Sequence, residues 1–387
     1  MKKQINVGQV GYKFMGKAHS NAYRKAGMFF DLSADVRMKA ICGREESWLK
    51  ENGTKYGWEE YETSWEKLVR RPDIDMIDIT APSNVHTEIA IAAAENGKHV
   101  FCEKPLALNS NDARRMIKAV EASGVKHQIG FNYRYAPAIL LAKKLIDEGK
   151  IGKVFHFRGC YLQDWIIDPS FPLVWRLDKS VAGSGALGDL GAHVIDAARF
   201  LVGDIKKVMG HMNTFVKERP KVERMTGLTA TAGENAEMGE VTVDDSAIFL
   251  AEFKNGAVGT FESTRFAAGH KNALTFEING SEGSLRFDLE RFNELEYFSR
   301  NDCDGEQGFR TIGVTESMHP YIGHWWPAGH IIGYEHTFVH QLYEFLEAIA
   351  NDGATTPDFY DGLKCCQVLD AVEKSSENRI WQEVDNQ

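Results

Sequence analysis

The chain has 387 residues, 43% hydrophobic and 26% charged, with a net charge of −10 from 45 basic and 55 acidic side chains. At roughly 100–200 residues per domain this implies two domains, and the composition excludes a disordered, collagenous or coiled-coil chain. No apolar run reaches the roughly 18 residues of a membrane span, and an acidic surface opposes binding to nucleic-acid phosphates.

At the N-terminus, the apolar stretch after Lys2 and Lys3 is too short for a signal peptide. The six cysteines form no C-x-x-C pair, so free thiols in a reducing cytoplasm are expected. Strand-like segments at 5–10, 36–42, 76–80, 99–102 and 127–131 alternate with helical ones at 15–26, 45–56, 85–96 and 111–122. That rhythm predicts βαβ units and a parallel, doubly wound sheet. Beyond residue 132 come strands at 153–161, 205–216, 245–253, 257–266, 273–279 and 283–288, several joined by tight turns, which predicts a largely antiparallel sheet. Helices are expected at 186–201, 336–350 and 360–375. Residues 217–240 and 301–333 read as loops long enough for lids or subunit contacts.

Gly8-Gln9-Val10-Gly11-Tyr12-Lys13-Phe14-Met15-Gly16 closes the first strand and opens a helix. This is the context of a dinucleotide fingerprint, whose pyrophosphate rests on the helix N-terminus. With Gly11 and Gly16 as first and third glycines, Lys13 stands where the second belongs, the one that lets backbone approach the pyrophosphate. Either the loop takes a wider path or the lysine ammonium itself contacts phosphate; a turn that binds nothing is the bland alternative. The second strand ends in Cys42-Gly43-Arg44, without the acid that accepts the 2′-hydroxyl of NAD. Arg44 either meets the 2′-phosphate of NADP, stacks on adenine, or is a solvated arginine at a helix start.

Ala81-Pro82-Ser83-Asn84-Val85-His86 and Phe101-Cys102-Glu103-Lys104-Pro105 leave the third and fourth strand tips, where open α/β sheets bind ligands. The proline restricts the backbone of Lys104. Farther on, Asp189 and His193 are four residues apart. On an α-helix they share a face, and a carboxylate beside an imidazole suits a general base. The alternative is a dipole-favoured aspartate with a packed histidine one turn later. Four histidines and two tryptophans lie within 319–336, and His336 with His340 has the spacing of a ligand pair. No partner completes it, so no metal is expected.

The segments GYKFMGKAHSNAY, APSNVHTEIAIAAAENGKHVFCEKPLA and GSGALGDLGAHVIDAARFLVG together resemble the glucose–fructose oxidoreductase/inositol dehydrogenase (Gfo/Idh/MocA) family over nearly the whole chain. GFNYRYAPA, YLQDW and PLVWR resemble its levoglucosan-dehydrogenase-type members. The resemblance implies an α/β protein with a Rossmann domain at 1–131 and an α/β domain at 132–387, whose open, largely antiparallel sheet serves substrate binding and oligomer contacts. It implies a homodimer or homotetramer that uses NAD or NADP to oxidise a secondary hydroxyl of a sugar, anhydrosugar or cyclitol.

Carried over residue by residue, Gly11, Lys13, Phe14, Met15 and Arg44 face the cofactor at the first two strand tips. Pro82, Asn84, His86, Glu103 and Lys104 face it at the next two. Lys104, Asp189 and His193 match the family's catalytic trio. His193 would take the hydroxyl proton, Asp189 would orient it, and Lys104 would stabilise developing alkoxide. Substrate contacts fall to those three and to Tyr133, Tyr161, Gln163, Trp165, Arg176 and Tyr334, with Arg134 and Asp164 beside them. Two other functions share this fold: a glycosidase that retains its nucleotide and works through transient oxidation, and a non-catalytic sugar sensor.

Overall fold

The apolar runs of the N-terminal region become buried parallel strands. In the computed structural model, which describes residues 2–226 and 229–385, the chain opens with β1 (Lys3–Val10), α1 (Phe14–Phe29), β2 (Ala34–Cys42), α2 (Glu46–Tyr56), β3 (Glu60–Glu62) and α3 (Trp65–Arg70). It continues with β4 (Met76–Ile79), α4 (His86–Glu95), β5 (His99–Cys102), α5 (Ser110–Ser123) and β6 (His127–Ile129). All six strands are parallel, in the order β3-β2-β1-β4-β5-β6. The order reverses between β1 and β4, which makes the carboxyl ends of these two strands the ligand crevice. Strand β3 and helix α3 were not expected; they are too short to show a period, although Ser64 caps α3 through the Lys67 N–H.

The second part of the chain begins with α6 (Pro137–Asp147), which was also not expected although Pro137 stands at its first turn. It runs on through β7 (Val154–Leu162), α7 (Lys179–Ala182), α8 (Ala192–Leu201), β8 (Ile205–Asn213), β9 (Glu218–Pro220), β10 (Arg224–Thr226), β11 (Thr229–Thr231) and β12 (Met238–Glu240). Then come β13 (Ser246–Phe253), β14 (Val258–Thr264), β15 (Ala273–Gly280), β16 (Gly283–Asp288), β17 (Glu294–Ser299) and β18 (Arg310–Gly313). The chain closes with α9 (Tyr334–Ala350), α10 (Phe359–Asn378) and β19 (Gln382–Glu383).

A nine-stranded sheet runs β18-β17-β16-β15-β7-β14-β13-β8-β19, with β7 and β14 its one parallel neighbouring pair among the described residues. Alternation sets its faces: Ala247, Phe249 and Ala251 of β13 are buried, whereas Ile248 and Leu250 between them are exposed. The segment 217–240, expected as loop, instead pairs β9 with β12 and β10 with β11; its residues 227 and 228 lie outside the described ones. The segment 301–333 contributes the edge strand β18.

Two compact units result, Met1–Asn132 with Tyr334–Cys366, and Tyr133–Gly333 with Gln367–Gln387. This differs from a single cut after residue 131, because α9 packs on the first unit. Its Phe338 lies against His19, Tyr343 stacks on Phe30, and Phe345 meets Phe101. All six cysteines are free, and no helix among the described residues is long and apolar enough to cross a membrane.

Candidate active site

In the first unit, the loop between β1 and α1 is as tight as a phosphate cradle requires. Gly11 has φ +110°, and a Cβ there would fall 2.5 Å from Thr80 Oγ1 and 2.6 Å from its carbonyl carbon. A Cβ on Gly16 would sit 2.4 Å from the Gly11 carbonyl oxygen, so only glycine lets α1 start this close to β1. No side chain caps α1, which leaves its first N–H groups and its positive end for an anion. A dinucleotide therefore fits the loop.

Lys13 is half exposed, and its ammonium lies 3.5 Å from Glu45. Glu45 also accepts the Tyr12 hydroxyl at 2.8 Å, and burial, then this bond, pushes that hydroxyl well above the usual phenol range. Phe14 is exposed at the helix start and its ring stacks on Tyr334, while Met15 is partly buried. Arg44 is exposed at the tip of β2.

At the β4 tip, Pro82 is partly buried and Asn84 exposed. His86 is buried with one ring nitrogen 3.0 Å from the Pro105 carbonyl and the other 2.9 Å from that of Ala81. Burial lowers its pKa, the two carbonyls opposing. It braces the two loops against each other.

Glu103 is buried as well. One of its oxygens lies 3.0 Å from His19 Nε2, and the other accepts the Lys104 backbone N–H at 3.1 Å. His19 Nδ1 lies 2.9 Å from Asp78 Oδ2, which also accepts the Tyr23 hydroxyl. Burial alone would lower the His19 pKa, but Asp78 and then Glu103 overcome it and hold the ring up at about 10. An imidazolium thus sits between two buried carboxylates directly beneath the loop of half-buried Lys104. Sequence reasoning missed His19 and Asp78. The available signal was polar residues at core positions, a histidine on the buried face of α1 and an aspartate inside the apolar run of β4.

In the second unit, the helix expected from 186 begins instead as a π turn, Leu187–Gly191, followed by α8. Spacing on an α-helix therefore does not relate Asp189 to His193, since a π turn is wider. Asp244, buried and with its pKa raised by that burial, accepts the Gly185 and Leu187 N–H groups at 2.7 and 2.8 Å and pins the start of the turn. Asp189 Oδ2 accepts from Arg265 at 2.9 Å.

His193 is buried between the rings of Tyr133 and Tyr161, at 4.6 and 5.8 Å between centroids. The two tyrosine hydroxyls are 2.9 Å apart. Tyr161 donates to Asn272 Oδ1, Gln163 Nε2 donates to the same oxygen, and Trp165 Nε1 donates to Gln163 Oε1. The antiparallel register of Ala273 with Leu162 brings Asn272, missed in the sequence, to this row.

Arg176 stacks on the Trp175 ring, 4.4 Å from its centroid; burial pulls its guanidinium pKa down, with Asp189 opposing. Arg134 forms a buried ion pair with Asp196 of α8, and Asp164 pairs with Lys271 at the surface. Tyr334, expected with these residues, belongs to the first unit. His336 and His340 are buried there, and no cluster of metal-ligating side chains exists among the described residues.

Two family profiles match the chain, the NAD-binding Rossmann fold of an oxidoreductase family over residues 5–131 and the GFO/IDH/MocA C-terminal domain over 139–286. Levoglucosan dehydrogenase of Pseudarthrobacter phenanthrenivorans is 42% identical, covering 99% of this chain and 98% of that protein. An oxidoreductase domain protein from Kribbella flavida superposes with a TM-score of 0.94 at 49% identity, all of both chains being covered. A levoglucosan dehydrogenase in complex with NADH and levoglucosan does so at 0.92 and 42%, again over the whole of both chains. With its glycine loop, its buried Glu103 beside Lys104, and both domains matched, the chain belongs to the Gfo/Idh/MocA oxidoreductase family.

Proposed function

We propose that this NAD(P)-dependent oxidoreductase moves a hydride between the nicotinamide and a secondary hydroxyl of a sugar, anhydrosugar or cyclitol. The observation that carries the reading is the row Tyr133, Tyr161, Asn272, Gln163 and Trp165 around His193. Aromatic faces suit the C–H side of a sugar ring, and amides with hydroxyls suit its O–H groups. The nicotinamide, when bound, supplies the hydride acceptor or donor. His193 takes the carbinol proton, Asp189 lends its charge to that end, and the Lys104 ammonium stabilises the developing alkoxide. The similarity to levoglucosan dehydrogenases favours an anhydrosugar as the substrate.

The test is titration of nucleotide-free protein with NAD and NADP, followed by tryptophan fluorescence. It is then repeated with levoglucosan, D-glucose and myo-inositol while absorbance of reduced nicotinamide is read. Binding of one nucleotide with sugar-dependent reduction is expected, and which nucleotide binds reports on Arg44. No binding of either overturns the reading. Tight binding with glycoside cleavage and no net absorbance change moves it to a redox-neutral glycosidase.

A homodimer or homotetramer is part of the same proposal, supported by the open sheet face on which Met209, Ile248, Leu250 and Val258 are exposed side by side. Sedimentation velocity is expected to give two or four chains per particle; a monomer at micromolar concentration contradicts it.

A further inference from the structure

Arg265 follows β14, and its backbone N–H donates to the Asp245 carbonyl at 3.1 Å. That side chain is fully buried. Its Nη2 donates to Asp189 Oδ2 at 2.9 Å and to the Gly185 carbonyl at 3.2 Å, and its Nη1 to the Arg176 carbonyl at 3.4 Å. The guanidinium carbon lies 5.6 Å from the centroid of the Trp165 ring. One planar fork thus spans the entrance and the middle of the π turn, and it touches two segments assigned to the substrate. A buried arginine is tolerable only against a charge of opposite sign, and Asp189 supplies it.

We propose that Arg265 is a positioning residue of the reaction, holding Asp189 in the turn ahead of His193 and aligning the Arg176 and Trp165 segments with it. The proposal rests on the assignment of Asp189 to the reaction. No catalytic contact is ascribed to Arg265 itself. Its effect on turnover is expected to pass through Asp189, because a displacement of about 1 Å in a reacting group costs on the order of 100-fold in rate.

The experiment is a double-mutant cycle of R265M and D189N, with kcat and KM read on whichever of levoglucosan, D-glucose and myo-inositol gives the highest kcat/KM. R265M is expected to lower kcat about 100-fold with nucleotide affinity unchanged, and R265K to recover part, since charge returns without the fork. The double variant should be no slower than D189N alone, as for residues that act as a unit. The same non-additivity is expected in urea midpoints, which need no turnover.

An unchanged kcat in R265M, or effects that multiply in the double variant, overturns the proposal and leaves Arg265 a purely structural residue. If R265M does not fold, R265K decides: a kcat loss of about tenfold that vanishes in the D189N background supports the proposal, and an unchanged kcat defeats it. Full turnover in D189N alone would instead remove the assignment on which the proposal stands.

Discussion

Replacing His193 by alanine is expected to lower turnover by about 10²–10⁴-fold, the usual worth of a positioned general base, while nucleotide binding persists. The ring is buried between Tyr133 and Tyr161, so its plane is set by packing before any substrate arrives. A fixed imidazole accepts a proton without first having to be oriented. The tyrosine pair is the competing proton acceptor, because its hydroxyls are 2.9 Å apart and continue to Asn272. Steady-state kinetics of H193A and Y161F at neutral pH distinguish the two. Undiminished turnover in H193A with a large loss in Y161F would transfer the role to the tyrosines.

His19→Gln is expected to destabilise the protein by about 3–5 kcal/mol, the range for removing one partner from a buried charged set. Glutamine cannot place a charge between Asp78 and Glu103, which lie 2.9 and 3.0 Å from the two ring nitrogens. The sign with pH follows from linkage. The ring's pKa is about 10 when folded against 6.5 as its ordinary value, so between these the folded state binds the extra proton. Its stabilisation is complete below about pH 6.5 and is lost as pH rises through about 10. Urea midpoints of both proteins at about pH 6, 8 and 10 check this, the gap between them narrowing upward. A gap that stays constant, or none at all, would show that the ring is not an imidazolium.

The parallel sheet was legible because its strands are apolar runs separated by helices of ordinary length, and because Gly11 and Gly16 mark the first crossover. Glu103 and Lys104 were visible as a motif. What Glu103 does was not, since its partner His19 lies 84 residues away on α1, and only the sheet order β1-β4-β5 brings that helix to the tip of β5. The π turn at Leu187–Gly191 was hidden for a different reason. A slipped hydrogen-bond register leaves the same residue types that an α-helix would, and Asp244, which pins it, comes from a distant strand connection. Arg265 and Asn272 entered the site through strand register alone, which no local pattern encodes.

The return of α9 to the first unit matters most while the protein is being made. The six parallel strands leave the ribosome early, but Phe338, Tyr343 and Phe345, which cover His19, Phe30 and Phe101, follow only after residues 133–333. At about 5–20 residues per second that interval lasts about 10–40 s. Throughout it the nascent nucleotide module shows an uncovered aromatic face and an unshielded carboxylate–imidazolium cluster, and the second unit in turn waits for residues 367–387, which bring β19 to β8. A fragment ending at residue 131 would keep that face open permanently, so the module cannot be severed from the tail of its own chain.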